Sequence, residues 1–341
     1  MMDKAPVLGS ILFNHGFCGI YFGETDSYKR LVLYELLKLV NKASASSARD
    51  LHCVECFCGV AAIVRAFQAA GLNAVGMDVA LDPDYMDLCT SEGMVMAVSL
   101  CMKLSPDALA WFATVCSSWI WICRDKTGRR ADRVEGDPER SSSARIGNIL
   151  ASRTCLLLHL LMSRQIWFVV EQPGTSIMYE SASFKHIQSL FTVLQQPWAK
   201  LHLADSYMGA FAGDSQKKHV FLSNKWWVHG LSRSKPQISQ AKETTTMAVT
   251  ETASGQVKRA ITGKAKELKA SENYSDNFGI AVADLWMAYT LKFEDTVGDF
   301  DFDTSPPAAV SPSAWEHLDM AGTLGEVQKS LSELGTLSGA A

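Results

Sequence analysis

The stretch Leu51 to Val79 combines one glycine turn with two carboxylates, residue types that nucleotide binding uses. Gly59 lets the backbone approach a ligand closely, and the following helix directs its N-terminal N–H groups at that ligand. Asp78 ends the next apolar segment, where a carboxylate could bind a ribose diol. Glu55 lies inside the first apolar segment, where an unpaired acid is costly to bury. These residues predict an adenosine-bearing cofactor.

Two later positions carry further chemical groups at the ends of apolar segments. Cys116 opens a run of small polar and aromatic residues, and Glu171 is followed by Gln172 and Pro173. In open α/β sheets, ligands collect beyond the carboxyl ends of the strands, so residues far apart in sequence can meet there. We therefore expect Gly59, Asp78, Cys116 and Glu171 to border one crevice.

The elements that must position these residues follow from hydrophobic periodicity. Residues 52–57 predict a buried strand, 62–70 a helix that Gly71 ends, and 73–79 a second strand. The alternation then continues along the chain. It predicts strands over 108–115, 166–171, 199–207 and 218–223, and helices over 92–104, 144–164, 184–194 and 278–293. The expected fold is therefore α/β, a Rossmann-like, mostly parallel sheet with helices on both faces.

The domain organisation follows from shifts in composition. Residues 1–48 predict an N-terminal helical cap with a helix over 27–41, and residues 49–293 the main domain. Residues 124–145 lack a hydrophobic period and predict a long mobile loop over the site. A flexible polar insertion is expected at about 232–275, followed by an acidic, mostly disordered tail over 294–341.

Composition points to an intracellular protein of the nucleus or cytoplasm. Its 341 residues are 48% hydrophobic, yet no apolar run of transmembrane length and no signal peptide is evident. Nine cysteines lie mostly within apolar patterns, as reduced thiols do. Cys53, Cys56 and Cys58 lack a second ligand pair at zinc-site spacing, so no structural metal is expected.

The net charge of −4 conceals two oppositely charged segments. Residues 217–269 contain eleven Lys or Arg and three Glu, whereas residues 294–341 contain nine acids and one Lys. The first segment could contact phosphates, and the second would repel phosphates or cover the first. A solvated basic loop with a disordered acidic tail is the alternative.

In this order the motifs resemble those of the cytosine-C5 DNA methyltransferases, a branch of the class I S-adenosylmethionine-dependent methyltransferases. The segment 55–59 is similar to that family's Asp-Leu-Phe-x-Gly motif, 115–117 to its Pro-Cys-Gln loop, and 171–173 to its Glu-Asn-Val motif. The segment 213–221 resembles its Gly-x-Pro-Gln-x-Arg motif. The resemblance covers roughly residues 50–224 and extends to divergent methyltransferase-like proteins of algae and dinoflagellates.

The resemblance implies S-adenosylmethionine as cofactor and nucleic acid, DNA before RNA, as substrate. A Cys116 thiolate would add to carbon 6 of cytosine, and Glu171, as a carboxylic acid near nitrogen 3, would stabilise the developing charge, with Lys218 as a third catalytic residue. The base would have to be single-stranded or flipped. The implied cofactor contacts are Glu55, Phe57, Cys58, Gly59, Asp78 and Val79, and the implied substrate contacts are Ser117, Trp119, Gln172 and Lys217.

Four positions depart from the family pattern. Val115 replaces Pro, Ser117 replaces Gln, Ala61 stands at the second Gly, and Lys replaces Arg in the late motif. The residues between Asn224 and Phe278 are also too few and too polar for the usual DNA-reading domain. Two alternatives therefore stand beside DNA methylation. They are an inactive module that binds cofactor or nucleic acid, and a methyltransferase acting on a small molecule or protein.

Overall fold

The computed structural model describes residues 49–194, 200–213, 216–236, 245–251, 257–263 and 273–294. The expected helical cap over residues 1–48 and the acidic tail beyond Glu294 lie outside the described residues.

A six-stranded sheet forms the centre of this domain. Its strands are β1 Leu51–Cys56, β2 Ala74–Met77, β3 Leu104–Phe112, β4 Trp167–Pro173, β5 His202–Tyr207 and β6 Lys218–Ser223. Their order is β2-β1-β3-β4-β6-β5. The first four in this order are parallel, while β6 runs antiparallel to both β4 and β5. The expected Rossmann-like, mostly parallel sheet is therefore confirmed.

Helices cover both faces of the sheet. They are α1 Ala62–Ala69, α2 Ser91–Met102, α3 Ser142–Ser163, α4 Ala182–Leu194 and α5 Asp276–Glu294. Helices α1 and α5 bury their apolar side chains on one face, and α2, α3 and α4 bury theirs on the other. Side-chain caps help to define the helix starts: Thr90 accepts the N–H of Gly93 at 3.0 Å before α2, and Ser141 accepts that of Ala144 at 3.3 Å before α3.

Among the described residues, α3 is the one helix long and apolar enough to cross a membrane. It packs inside the fold instead, with Leu150, Leu157 and Leu161 buried on the sheet face that α2, α3 and α4 cover. Its Arg153 is also buried and donates to the carbonyl oxygens of Leu88 and Thr90 at 2.8 and 2.7 Å. The helix is thus a core element of the domain.

The chain reverses its direction of travel across the sheet at β1. It passes from β1 outward to β2 and then crosses back to β3 on the other side of β1. Such a switch point opens a crevice at the carboxyl ends of the two strands that flank it, because the connections leave in opposite directions. The crevice here lies between the ends of β1 and β3.

Strand β3 begins four residues earlier than the sequence predicts. Its pairing with β1 starts at Leu104 and is interrupted before Leu109. Within this irregular stretch Asp107 has φ 59°, a left-handed conformation that local hydrophobic periodicity does not indicate. Pro106 is therefore inside the strand, at the irregularity, rather than between a helix and a strand.

Two segments expected to lack regular structure are organised. The insertion contains an antiparallel hairpin of β7, Thr245–Glu251, and β8, Val257–Gly263. Residues 124–145, expected to form a mobile loop, include a buried Arg129 and a buried Val134 that anchor the segment to the domain. The anchor is a set of tertiary contacts, which hydrophobic periodicity does not register.

Candidate functional site

The turn after β1 is strained. Phe57, Gly59 and Ala61 have φ values of 60°, 50° and 55°, so three residues of five adopt left-handed backbone. Glycine adopts this conformation readily, but for a residue with a Cβ it costs roughly 1–2 kcal/mol. Ala61 stands where the family motif has its second glycine, and it adopts the left-handed conformation that glycine favours. Strain of this kind is typical of ligand-binding turns.

Asp78 joins this turn to the end of β2. Its Oδ2 accepts the N–H of Gly59 at 2.9 Å, and its Oδ1 accepts the N–H of Ala80 at 2.9 Å. Each carboxylate oxygen has a second lone pair, so the group can accept further hydrogen bonds from a ligand hydroxyl. Asp78 is partly exposed and Val79 beside it is exposed, as a cofactor contact requires.

The described residues leave the space above the turn open. Among them, a Cβ placed on Gly59 would meet just one atom within 4 Å, Oδ1 of Asn273 at 3.8 Å. Exposed apolar side chains follow the ends of the neighbouring strands: Val60 after β1; Val79, Leu81 and Tyr85 after β2; Val115 and Trp121 after β3. An open glycine beside an apolar rim and an acid suits a nucleoside, which has both a flat apolar face and hydroxyl groups.

Glu55 lies near the end of β1, next to the turn. It is fully buried, and its Oε2 accepts the N–H of Val64 in the first turn of α1 at 3.0 Å. Burial raises the pKa of this carboxyl to about 8, even though the Val64 hydrogen bond and Arg65 favour the charged form. Its side chain supports the start of α1 through Oε2, and its expected contact with a cofactor stays a prediction.

Phe57 and Cys58 also pack inward. Phe57 is half-buried and packs against the core on the sheet face that α2, α3 and α4 cover. Cys58 is buried, and a Cβ on Gly76 would lie 2.8 Å from its Sγ, so the thiol fills the space that this glycine leaves. Burial raises the pKa of the Cys58 thiol to about 12. These two residues can contact a cofactor through their backbone, whereas their side chains shape the turn.

The loop after β3 presents Cys116 at the same edge of the sheet. Val115 and Ser117 are exposed and Cys116 is half-buried, while the N–H of Trp119 donates to the Cys116 carbonyl at 2.9 Å and closes a tight turn. Trp119 itself is fully buried beneath the guanidinium of Arg129. This arrangement does not support its expected contact with substrate, because its ring is covered. Trp121, 42% exposed, is the accessible aromatic residue of this loop.

Gln172 ties the Cys116 loop to β4. Its Nε2 donates to the carbonyl oxygen of Thr114 at 2.6 Å, and its Oε1 accepts the hydroxyl of Ser176 at 2.8 Å. The residue is fully buried. The expected contact of Gln172 with substrate is corrected: the oxygen and nitrogen of its amide both hold neighbouring segments together.

Glu171 belongs to a buried hydrogen-bond network on the face covered by α1 and α5. Its Oε1 lies 2.5 Å from Nδ1 of His219, and its Oε2 accepts the hydroxyl of Tyr274 at 2.9 Å. The Tyr274 hydroxyl also accepts the indole N–H of Trp111 at 3.3 Å.

The network determines the charge state of Glu171. Burial alone would raise its pKa, but His219, Lys217 and the Tyr274 hydroxyl together hold the pKa below the usual range. This direction favours the carboxylate form of Glu171, whereas the resemblance implies that it acts as a carboxylic acid. A carboxylate accepts hydrogen bonds and would pair with an N–H donor of a substrate.

The two lysines of the late motif differ in their surroundings. Lys218 is exposed and forms an ion pair with Asp205 of the edge strand β5, so a phosphate would have to compete with that carboxylate. Lys217 is half-buried, and its positive charge acts on Glu171. Of the two lysines, Lys217 is therefore the one whose positive charge acts on Glu171.

The sequence does not single out His219, Tyr274 or Arg129. Glu171 pairs with Phe221 across the antiparallel ladder, which makes His219 its diagonal neighbour on the same face. Register alone could identify His219 once β6 is known to be antiparallel. Tyr274 follows the insertion, and no spacing in the sequence relates it to β4.

Within the described ranges, no group of three His, Cys, Asp or Glu side chains is arranged to hold a metal ion. Comparison of the chain with protein-family models, with curated proteins and with solved structures gave no match.

Proposed function

We propose that this protein is an S-adenosylmethionine-dependent methyltransferase, with carbon 5 of cytosine in nucleic acid as the leading acceptor. The observation that carries the proposal is the strained turn at Gly59, tied to Asp78 at the switch point of the sheet. Ligands of open α/β sheets bind at this place, and the carboxylate beside the glycine could bind a ribose.

The residues of the crevice fit this cofactor. Asp78 would accept the ribose hydroxyls, Val60 and Val79 offer exposed apolar surface to the adenine, and the turn before α1 would approach the methionine portion through its backbone. When bound, S-adenosylmethionine supplies an electrophilic methyl group. The chain's own residues must activate the acceptor and keep it in place.

Cys116 and Glu171 are the residues proposed to activate the acceptor. They lie near the ends of neighbouring parallel strands that the Gln172–Thr114 hydrogen bond joins. The Cys116 thiolate would form a bond to carbon 6 of the base as the carbon 5–carbon 6 double bond opens, which makes carbon 5 nucleophilic. Once carbon 5 carries the methyl group, loss of its proton to a base would restore the double bond and release the thiolate. Glu171, as a carboxylate, would accept a hydrogen bond from the amino group or from a protonated ring nitrogen of cytosine.

Binding of the cofactor can be measured by titration calorimetry with the purified protein. We expect S-adenosylmethionine to bind and Asp78→Ala to weaken binding by about tenfold or more, since a charge-assisted hydrogen bond contributes roughly 1.5–3 kcal/mol. Asp84→Ala is the matched control, because Asp84 is an exposed acid of the same loop. Absence of binding at millimolar cofactor would contradict the proposal.

Transfer to cytosine has a separate covalent test. An oligonucleotide containing 5-fluorocytosine should form an adduct with the protein in the presence of cofactor, and Cys116→Ala should abolish it while Cys123→Ala should not. Fluorine cannot leave as the proton does, so the covalent intermediate persists. Methyl transfer that persists in the Cys116→Ala variant would indicate an acceptor other than carbon 5 of cytosine, such as a small molecule or a protein.

A second candidate is methyl transfer to a small molecule or a protein. It is favoured by the ion pair of Lys218 with Asp205 and by the burial of Trp119, which remove two expected contacts with nucleic acid. Tritium transfer from labelled cofactor to DNA, RNA, protein and metabolite pools distinguishes the two candidates.

A further inference from the structure

Arg129 is a fully buried cation whose charge is not balanced by a direct ion pair with any carboxylate among the described residues. Its guanidinium carbon lies 3.3 Å from the centroid of the Trp119 ring. Burial lowers the pKa of its side chain to about 10, and Glu135 offsets part of this effect at longer range. Burying a charge is expensive unless its hydrogen bonds are made elsewhere.

Neutral oxygens from three segments accept hydrogen bonds from Nη1 and Nη2, while Nε has no hydrogen-bond partner among the described residues. Nη1 donates to the Val134 carbonyl at 2.8 Å, and Nη2 donates to the Ser118 hydroxyl at 3.2 Å and to the Ala144 carbonyl at 3.0 Å. One side chain therefore joins the Cys116 loop, the segment over 124–145 and the first turn of α3. A planar fork of donors is needed for this, which an ammonium group does not supply.

The contacts of Arg129 lie immediately beside the Cys116 turn. Ser118 and Trp119 are the second and third residues after Cys116, and the Trp119 N–H closes the turn on the Cys116 carbonyl. Helix α3 closes the other side, because a Cβ at Gly147 would collide with both the Ser118 hydroxyl and the guanidinium. The Trp119 carbonyl in turn accepts the N–H of Ile177 beyond β4 at 3.2 Å.

We propose that Arg129 is a positioning residue that fixes the Cys116–Trp119 turn and thereby sets the direction and access of the Cys116 thiol. The nucleophilic role of that thiol rests on the proposed function, but the positioning does not. Without the guanidinium, Trp119 loses its cover and Ser118 its donor, so the turn opens locally while the sheet remains folded.

Alkylation of the folded protein measures this positioning directly. Native protein is treated with iodoacetamide, and the modification rates of Cys116 and Cys89 are read by peptide mass spectrometry, with Cys89 as the internal reference outside the loop. We expect Arg129→Met and Arg129→Lys to raise the Cys116 rate by about tenfold relative to Cys89, as local opening does. Arg145→Met, which removes an exposed charge from the same helix start, should leave the ratio unchanged.

A milder variant covers the case in which both Arg129 substitutions prevent folding. Ser118→Ala removes a single acceptor and should raise the Cys116 rate by a smaller factor in a fully folded protein. An unchanged ratio in whichever of these variants fold would overturn the proposal.

The rate of 5-fluorocytosine adduct formation distinguishes a loss of thiol positioning from a general loss of stability. If the parent protein forms the adduct, Arg129→Lys should form it more slowly even though its thiol reacts faster with iodoacetamide. If the parent protein forms no adduct, the proposed reaction fails, and the alkylation ratio still decides the role of Arg129.

Discussion

Two buried glutamates on the same face of the sheet have opposite charge preferences. Glu171 has two side-chain partners, His219 and Tyr274, and its pKa lies below the usual range. Glu55 has only backbone N–H groups of α1 beside it, its Oε1 has no hydrogen-bond partner among the described residues, and burial raises its pKa to about 8. The number and kind of partners, not burial, determine which acid remains charged.

Glu55→Gln is expected to change how stability depends on pH. Because the folded-state pKa of about 8 lies above the unfolded value of 4.5, the folded protein binds the proton more tightly. Glu55 therefore destabilises the wild type progressively as pH rises from about 4.5 to about 8. Glutamine cannot ionise, so the variant should be more stable than wild type by a few kcal/mol at pH 9 and nearly equal at pH 5.

Urea unfolding followed by circular dichroism at several pH values measures this difference. Glu139→Gln removes an exposed carboxyl and serves as the control, with a pH profile expected to match that of the wild type. A constant difference between Glu55→Gln and wild type across this pH range would show that Glu55 does not change its protonation there.

At the level of elements, α5 holds α1 and the Gly59 turn in place. Gly279 of α5 packs so closely on α1 that an added Cβ would collide with the carbonyl oxygen of Ala62. Nearby, Arg65 of α1 pairs with Asp276 of α5 at 2.5 Å, but both side chains are largely exposed. The close backbone approach therefore contributes more to this packing than the exposed ion pair does.

Gly279→Ala is expected to destabilise the protein and weaken cofactor binding together. Alanine normally stabilises a helix interior by roughly 0.5–1 kcal/mol relative to glycine, but here the methyl group would push α5 off α1 at a cost of about 1–3 kcal/mol. Thermal unfolding and calorimetric titration of S-adenosylmethionine measure the two effects.

Asn277→Ala provides the control for helix composition, since Asn277 is an exposed residue of the first turn of α5. We expect it to leave stability unchanged or slightly higher. If Gly279→Ala behaved in the same way, the close contact between α5 and α1 would not be significant in solution.

For the whole molecule, charge is divided between a basic segment and an acidic one. Residues 217–269 carry eleven basic and three acidic residues, and residues 294–341 carry nine acidic residues and one lysine. Within the basic segment, Lys218 already has an acidic partner in Asp205. A tail that covers the remaining basic groups would reduce binding of nucleic acid.

Truncation after Glu294 tests this relation. Removing the acidic segment should tighten binding of a single-stranded oligonucleotide by about tenfold at low salt, because counterion release dominates such binding. Fluorescence anisotropy measures the affinity, and the difference should disappear at high salt, where charges are screened. Equal affinities of the two proteins at low salt would contradict masking by the tail.

The sequence by itself determined the alternation of strands and helices and the place of the glycine turn. These follow from local periodicity, and β6 has the predicted bounds, Lys218–Ser223. Gly59 and Asp78 were also predictable as neighbours, because a strand, a helix and a parallel strand bring the two strand ends to one edge. Their direct hydrogen bond agrees with that expectation.

Only the tertiary structure decided what the buried polar side chains do. Glu171 is charged because His219 and Tyr274 reach it from β6 and from the segment just before α5, and Arg129 is anchored by oxygens of three separate segments. Gln172 and Trp119 face inward rather than toward a substrate. A hydrogen bond between residues far apart in sequence does not change the hydrophobic periodicity of the chain. Its geometry and its effect on charge are therefore set only when the sheet and its helices are assembled.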